Sequence, residues 1–478
     1  RGIVGRAVIL LSAFIAAYAV LSLGLLQLES GVEEWRGYIF VDVVPVYYAE
    51  WSPKSGTTKG VVVLLHGLGG SLEMMKWLGV ELARSGYRAI AYDNLGHGRS
   101  GSRIAAFNGT AAFPVYLRLL ESLGVRDEEV TLVGHSMGGF FAQEFAKRDP
   151  RVVRVIVVAS RPYLDKPIER VVVFAALDEI FTVTSAEGWT VVILPHDDHL
   201  TVLYNPALAD AVLSRLEGDG YENRAPQRLT LTLARSAFAL AATLAAVSLL
   251  APRLRKPQAQ SPGSLPLAKL AAAFALAAPL AFPLYLLMAP AVSLIAAYVL
   301  AVLYTQTLAL ILVQRPRPRF STALIKGLPG LVAASIALAL IVYVGLHEAL
   351  QPFFNVEPSS QRAPLMAAIL ALSLLPCTTF EPLARLKLAN LPPMRGLAVV
   401  IALRAASFLS AYATARLLLG PQGLSGYLLI VTFVSLTLLL PLDAAAQVWL
   451  HRTKSWTENA AWLAVVHSAL LAAVTPLT

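Results

Sequence analysis

The hydrophobic positions of this chain follow two different patterns. In residues 31–218, short β-branched runs alternate with stretches in which apolar residues recur every three or four positions. The first pattern is typical of buried parallel strands, and the second predicts amphipathic helices. The strand runs lie at 61–65, 88–92, 130–133, 152–159, 171–175 and 190–194, and the helical stretches at 72–85, 110–123, 137–148 and 206–217. Together they predict an α/β domain with a mainly parallel sheet.

The rest of the chain consists of long apolar segments. A helix needs about 20 mostly apolar residues to cross a bilayer, and only a helix pairs its backbone groups internally in lipid. Nine segments meet this requirement, near 7–26, 229–250, 270–289, 291–313, 327–346, 363–380, 396–419, 424–450 and 460–477. We therefore predict an anchor helix at 1–28, the α/β domain at 31–218 and an eight-helix, all-α membrane domain at 229–478. The first span is interpreted as an uncleaved anchor, because its apolar core is longer than that of a signal peptide, the alternative.

Composition and charge agree with a multi-pass membrane protein. The chain of 478 residues is 56% hydrophobic and 14% charged, which excludes a purely soluble protein. Residues 31–218 carry 18 basic and 22 acidic residues, whereas the rest of the chain carries 21 basic and 8 acidic residues, so the positive net charge of +9 arises outside this segment. The basic residues lie between apolar segments, which argues against nucleic acid as a partner. Fifteen basic residues fall in short loops on one side of the predicted membrane, whereas Arg362 is the one basic residue in the short loops on the other side. The positive-inside rule then predicts a cytoplasmic amino terminus in the cell membrane and an extracytoplasmic α/β domain.

The strongest chemical signal is Gly-His-Ser-Met-Gly at 134–138, between a predicted strand and a predicted helix. A sharp turn at this place forces glycine at the positions flanking Ser136 and leaves the serine hydroxyl exposed at the sheet's carboxyl edge. We expect Ser136 to be a nucleophile. A serine needs a base within hydrogen-bond reach, itself oriented by an acid.

Two later strand ends supply those partners. Asp178 follows the run at 171–175, and His199 follows the run at 190–194. Glu179 is an alternative acid and His196 an alternative base, although the helix that begins shortly after residue 199 favours His199. Adjacent residues rarely converge on one ion, so we expect no metal at 196–199 and interpret Asp197 and Asp198 as solvated carboxylates. The single Cys377 excludes an intrachain disulfide and a cysteine-rich zinc site. No metal or organic cofactor is predicted.

Acyl transfer also needs N–H donors aimed at the developing oxyanion. The turn His-Gly-Leu-Gly-Gly at 66–70 follows the strand at 61–65, and its glycines permit close approach. We assign the two donors to the backbone of Leu68 and of Met137.

These motifs, with Asp-Asn-Leu-Gly-His-Gly-Arg-Ser at 93–100, resemble the α/β-hydrolase superfamily, specifically its monoacylglycerol-lipase-like and serine-aminopeptidase-like branch. The resemblance covers roughly 55–217 and implies hydrolysis through an acyl-enzyme. It also implies that Asp93 and the loop after it are mostly structural, so His97 is not counted as catalytic. The membrane part has no such resemblance.

One departure from the family concerns the helical cap that many relatives insert after the sixth strand. Only about ten residues, 160–169, separate that strand from the next in this chain. We expect the catalytic edge to be open or covered by something else. Met74, Met75 and Trp77 are candidate pocket residues, and bilayer lipid or the loop 347–362, with Phe353 and Phe354, is the hypothetical replacement for the cap.

The sequence therefore predicts a membrane serine hydrolase acting on carboxylic esters of lipid character, with the bilayer and the acyl ester as partners. Two alternatives stay open, a serine peptidase on the same triad and a transporter-like protein whose hydrolase-fold domain only binds. The sequence leaves the oligomeric state undetermined. Within the membrane segments, Arg404 is expected to pair with Glu381 or Asp443, most simply to fix helix packing.

Overall fold

The computed structural model describes residues 2–102, 108–184, 186–218, 220–254, 267–314, 328–420, 424–453 and 455–477. The chain forms two compact units. The first comprises Arg1–Ala19, Arg235–Ala349 and Arg362–Ala472, and the second Val20–Ala234, Leu350–Gln361 and Ala473–Thr478. The domain boundaries given in the sequence analysis stay a prediction. The second unit also includes residues that the sequence analysis assigned to the ends of membrane spans.

The second unit contains the predicted sheet. Its strands are β1 (Val32–Val41), β2 (Val44–Pro53), β3 (Val61–Leu65), β4 (Arg88–Tyr92), β5 (Val130–His135), β6 (Val152–Val158), β7 (Glu169–Ala175) and β8 (Thr190–Leu194), and its helices are α2 (Glu73–Arg84), α3 (Gly109–Ser122), α4 (Met137–Arg148) and α5 (Pro206–Glu217). The strand order is β1-β2-β4-β3-β5-β6-β7-β8, parallel from β4 to β8. The α/β class with a mainly parallel sheet is confirmed.

The sheet's first two strands were not predicted. They form an antiparallel hairpin that joins the sheet through the pairing of β2 with β4. Strand β1 is half-exposed and mixes charged with aromatic residues, so it lacks the buried β-branched run that marked the other strands. The turn places Asp42 at φ 54°, a conformation that aspartate tolerates and that two-residue hairpin turns require.

The parallel register brings functional loops to one edge. Leu65, the last residue of β3, pairs with Gly134 of β5, and His135 pairs with Val158 of β6. Apolar side chains cover both faces of the sheet, with α2 and α5 in one buried cluster and α3 and α4 in the other. The loops after β3, β5, β7 and β8 therefore begin at the same edge of a well-packed scaffold.

The remaining helices are mostly apolar. They are α1 (Gly2–Leu28), α6 (Ala225–Leu254), α7 (Leu267–Ala277), α8 (Ala281–Val292), α9 (Leu294–Gln314), α10 (Leu328–Leu350), α11 (Ala363–Phe380), α12 (Pro393–Leu419), α13 (Leu424–Thr453) and α14 (Trp456–Val474). Within the described residues, nine stretches are long and apolar enough to cross a membrane, with α7 and α8 forming one of them. They coincide with the nine predicted spans to within several residues.

Several of the residues used to orient the chain in the membrane are not described. Arg1, Arg255, Lys256, Arg315, Arg317, Arg319, Lys326 and Lys454 lie outside the described residues. Arg385, which is among the fifteen basic residues counted in the loops, ends a π-helical turn at Glu381–Arg385 and is fully buried, so it does not mark an exposed loop.

Arg385 belongs to a buried charge network in the first unit. Its guanidinium donates to Glu381 Oε1 at 2.7 Å and to a carboxylate oxygen of Asp443. Arg404 Nε donates to the other carboxylate oxygen of Asp443 at 3.1 Å. Of the two predicted partners of Arg404, the structure thus selects Asp443. The network balances two guanidinium groups against two carboxylates, as buried charges require.

Candidate active site

Ser136 lies in the turn between β5 and α4, with φ 53° and ψ −117°. Positive φ is uncommon for a residue other than glycine and costs on the order of 1–3 kcal/mol, so it persists where the surroundings enforce it. Its N–H donates to the carbonyl of Val158 on the neighbouring strand at 2.9 Å. The serine is thereby held in a strained conformation at the carboxyl edge of the sheet, where the sequence placed it.

The glycines around Ser136 permit backbone to pack against backbone. A Cβ atom on Gly134 would overlap the carbonyl of Gly138, and a Cβ atom on Gly138 would overlap the carbonyl of Leu65. A Cβ atom on Gly139 would lie 2.7 Å from Cβ of Ser160. These close approaches explain why glycine is required at positions 134, 138 and 139 of the motif.

His199 and Asp178 form a buried pair. Nδ1 of His199 lies 2.9 Å from Oδ2 and 3.0 Å from Oδ1 of Asp178. Asp178 Oδ1 also accepts the N–H groups of Ile180 at 2.8 Å and Phe181 at 2.9 Å. Burial alone raises the pKa of Asp178, but the hydrogen bonds from His199 and from these amides lower it below its ordinary value. A charged carboxylate facing Nδ1 leaves Nε2 as the ring nitrogen for proton exchange.

The alternative acid and base lie less favourably. Glu179 Oε2 accepts the backbone N–H of His199 at 3.3 Å, which places it behind the histidine backbone, and burial raises its pKa. His196 is exposed, whereas His199 is buried. The geometry favours Asp178 and His199.

The two carboxylates between these histidines have separate local roles. Asp198 Oδ1 accepts the N–H groups of Leu200 at 2.9 Å and Thr201 at 2.7 Å. Asp197 is buried, not solvated as predicted, because it accepts a hydrogen bond at 2.5 Å from Asn205, the residue that caps α5. Among the described residues, no group of three or more His, Cys, Asp or Glu side chains is arranged to hold a metal ion.

His135, the neighbour of Ser136, connects the turn that carries Ser136 to the loop after β8, which carries His199. Its Nε2 donates to the carbonyl of His199 at 2.7 Å, and the two imidazole rings are 4.9 Å apart. Burial and the adjacent His199 lower the pKa of His135 to about 3, so it donates as a neutral imidazole. Across the described residues, no hydrogen bond joins the Ser136 hydroxyl to the His199 imidazole. Nothing in the sequence marked His135 except its place beside the serine.

The backbone segments that carry the predicted oxyanion donors adjoin Ser136. The turn after β3 closes with a hydrogen bond from Gly70 N–H to the Gly67 carbonyl at 3.1 Å. A Cβ atom on Gly67 would lie 3.1 Å from Cβ of Ser136, so this turn touches the serine. Met137 is the first residue of α4, and amides in the first turn of a helix have no intrahelical acceptor. Leu68 and Met137 thus lie on the two backbone segments that flank Ser136.

The three candidate pocket residues are core residues in the structure. Met74, Met75 and Trp77 lie on α2 and are at most 7% exposed. Met74 also supports the oxyanion turn, because its sulfur would lie 2.7 Å from a Cβ atom on Gly70. A place in the substrate pocket stays a prediction for all three.

Comparison with known proteins agrees with this geometry. Residues 60–179 match the family model described as alpha/beta hydrolase fold, a range that includes Ser136 and Asp178. The chain contains an α/β-hydrolase domain. An uncharacterized protein of Mycobacterium tuberculosis is 34% identical to the chain over 117 residues, which are 24% of this chain and 33% of that protein. The dihydrolipoyllysine-residue acetyltransferase component of the acetoin cleaving system of Cupriavidus necator is 32% identical over 126 residues, 26% of this chain and 32% of that one.

The likeness to these proteins covers between 24% and 39% of the chain. The chain spans about a third of the length of the curated relatives it matches. A solved structure of a predicted CIB-like hydrolase from Thermoplasma acidophilum is 18% identical, with a TM-score of 0.33, and covers 39% of this chain and 99% of its own. The family match supports a hydrolase.

The loop 93–100 serves the hydrolase domain as an internal support. Both carboxylate oxygens of Asp93 accept backbone N–H groups at 2.7 Å, one from Leu72 and one from Arg99. A Cβ atom on Gly98, which has φ 49°, would overlap the Asp93 carboxylate. The arrangement fits the structural role that the resemblance implied for Asp93.

Proposed function

We propose that the chain is a membrane-embedded serine hydrolase that cleaves carboxylic esters, with lipid-like acyl esters as its substrates. The observation that carries the proposal is the buried Asp178–His199 pair beside the strained turn of Ser136. A turn of this kind and an aligned imidazole–carboxylate pair are the two parts from which an activated serine is assembled.

The proposed reaction has two stages. His199 Nε2 takes the proton of the Ser136 hydroxyl as its oxygen attacks the acyl carbonyl, and the amides of Leu68 and Met137 bind the resulting oxyanion. Collapse of this intermediate breaks the ester bond, and His199 returns the proton to the leaving alcohol. Water, deprotonated by His199, then attacks the acyl-enzyme and releases the acid, with the proton returned to Ser136. Asp178 holds Nδ1 and stabilises the imidazolium in both stages.

An ester of lipid character is proposed because the hydrolase domain is in one chain with nine stretches able to cross a membrane. Such a chain resides where acyl lipids are the most abundant esters.

A fluorophosphonate probe tests the serine. We expect the full-length protein in detergent micelles to be labelled, and Ser136→Ala to abolish labelling. Ser122→Ala, which removes an exposed hydroxyl at the end of α3, is the matched control and should still be labelled. If Ser136→Ala is labelled like the unmodified protein, or if neither is labelled, the serine hydrolase is excluded and a binding role is favoured. Turnover of aminoacyl amides in preference to esters would instead indicate a peptidase.

We also propose that the hydrolase domain lies outside the cell, on the basis of the basic residues in the loops. A cysteine introduced at Arg118, an exposed position of α3, reports the side. We expect a membrane-impermeant maleimide to label it in intact cells, whereas the native Cys377 is not labelled. Labelling only after lysis would reverse the orientation.

A further inference from the structure

Within the described residues, no helical cap is inserted between β6 and β7 at the carboxyl edge of the hydrolase sheet. The connection from β6 to β7 consists of residues 159–168 and contains no helix. A segment from a distant part of the sequence, residues 351–357, lies against this edge instead. We name it the strap. It belongs to the same compact unit as the sheet, although along the chain it follows α10 and precedes α11.

The strap contacts both loops that bear the proposed machinery. The N–H of Asn355 donates to Oγ of Ser71 at 3.0 Å, and Ser71 is three residues beyond Leu68. The hydroxyl of Tyr204 donates to the carbonyl of Phe353 at 2.6 Å, and Tyr204 is five residues beyond His199. The strap thus joins the oxyanion turn after β3 to the base loop after β8.

Charged and polar side chains fasten the same segment to the sheet edge. Glu357 Oε2 accepts from Arg99 Nη2 at 2.6 Å and from Nε at 2.9 Å, and Arg99 lies in the loop after β4. Arg99 Nη1 also donates to Glu73 Oε1 at 2.9 Å, and Gln351 of the strap donates to the same oxygen at 3.1 Å. Three loops are therefore connected through one segment.

The strap is itself held in one conformation by internal hydrogen bonds. Gln351 Oε1 accepts from Val356 N–H at 2.9 Å. Asn355 Nδ2 donates to the carbonyl of Glu357 at 2.9 Å, and its Oδ1 accepts the Glu357 N–H at 3.2 Å. Asn355 and Val356 are buried. A segment held by this many internal hydrogen bonds is able to keep the loops that it contacts at a fixed distance from one another.

We infer that the strap is a positioning element that holds the oxyanion turn and the His199 loop at the spacing that acyl transfer requires, in place of the missing cap. The inference rests on the proposed function. Its positioning residues are Tyr204 and Glu357, which act through the loops they fasten. Displacement of catalytic groups by about 1 Å lowers rates by on the order of 10²-fold, so loosening the strap should lower kcat. Because the contacts go to loops, and none of them requires a bound acyl chain, the effect should be independent of acyl length.

The test uses the full-length protein in detergent micelles with esters of short and long acyl chains. We expect Tyr204→Phe and Glu357→Gln each to lower kcat about tenfold, and the double variant by up to about 10²-fold, with KM changed less than twofold. The rate of fluorophosphonate labelling should fall in parallel while its final extent stays complete. Glu169→Gln is the matched control, because it removes a partly exposed ion pair with Arg154 at the opposite edge of the sheet.

Each other result has a distinct meaning. If the double variant keeps the kcat of the unmodified protein, and the unmodified protein is labelled, the positioning role of the strap is overturned while the proposed function stands. A rise in KM restricted to long-chain esters also overturns it, because the segment would then be a wall of the substrate site. No labelling of the unmodified protein overturns the proposed function and this inference with it.

Discussion

The imidazole of His199 faces the carboxylate of Asp178 through Nδ1, at 2.9 Å from Oδ2 and 3.0 Å from Oδ1. Both side chains are almost fully buried, so bulk water neither competes for this bond nor screens it. The carboxylate therefore selects the tautomer with a proton on Nδ1 and favours the imidazolium that forms when Nε2 accepts a proton.

Asp178→Asn should lower kcat by about 10³- to 10⁴-fold, because an amide favours the wrong tautomer and cannot stabilise the imidazolium. Ester hydrolysis under saturating substrate measures the effect. Glu179→Gln is the matched control, since Glu179 accepts its hydrogen bond from the backbone N–H of His199, at 3.3 Å, and not from the imidazole. A loss with Glu179→Gln equal to that with Asp178→Asn would contradict the assignment of the acid.

Gly67→Ala should reduce activity without unfolding the domain. The added methyl group would lie 2.8 Å from Nδ1 of His135 and 3.1 Å from Cβ of Ser136, so the oxyanion turn must move away from the serine. Loss of a well-placed oxyanion donor costs about 10²- to 10³-fold in kcat, which is the expected range. Gly60 lies immediately before β3, and in Gly60→Ala the added methyl group would make ordinary contact with Tyr87 at 3.8 Å, so this variant should keep full activity. Equal activity of the two variants would argue against a donor in this turn.

Local patterns predicted the parallel part of the hydrolase domain well. Buried β-branched runs and helical spacing gave β3 to β8 and α2 to α5 to within a few residues. The hairpin of β1 and β2 was missed because an edge hairpin with charged and aromatic side chains on its exposed face lacks that signal.

The site was predictable only where chain order decides it. In a parallel sheet, the residues after successive strands meet at one edge, so the location of Ser136, Asp178 and His199 at the same edge followed from their positions, while their catalytic roles stay a prediction. The loop 347–362 was suggested as a replacement for the cap, but its individual contacts and those of His135 were not predicted, because they depend on which loop folds over which. Asn355 and Ser71 are separated by 284 residues, and nothing local in either segment announces their hydrogen bond. The prediction that Asp197 is solvated was wrong for the same reason, because its buried carboxylate accepts a hydrogen bond from the side chain of Asn205.

The hydrolase domain should lose stability as the pH falls from 6.5 towards 4, in part through His66. Burial lowers the pKa of His66 to about 4 from its ordinary value of 6.5. Between these values the unfolded chain binds a proton that the folded chain does not, so lowering the pH favours unfolding. The contribution amounts to about 3 kcal/mol over the whole window. His135 acts in the same direction.

Urea unfolding in micelles, followed by tryptophan fluorescence at pH 7 and pH 4.5, measures this effect. His66→Gln should unfold more readily at pH 7, because it loses hydrogen bonds to Asn94 and Gly67, but its stability should fall less on acidification. His196→Gln, which replaces an exposed histidine of the same domain, is the control. A pH dependence of His66→Gln as steep as that of the unmodified protein would contradict the role of His66.

Asp443→Asn should destabilise the membrane helices, because Asp443 is the carboxylate that Arg385 and Arg404 share. Without it, two buried guanidinium groups face the single carboxylate of Glu381, and an uncompensated buried charge costs about 3–5 kcal/mol. Thermal unfolding in micelles, followed by helical circular dichroism, should show a clear fall in the midpoint. Arg416→Gln, whose guanidinium is exposed and donates to the Tyr412 hydroxyl at 2.8 Å, should leave the midpoint unchanged. The double variant Asp443→Asn with Arg404→Met restores the balance of one positive and one negative group, so it should unfold at a higher temperature than Asp443→Asn alone. If the double variant is less stable than the single one, charge balance is not what this network provides, and the packing of Arg404 over the ring of Phe380, 4.3 Å from its centre, is the larger contribution.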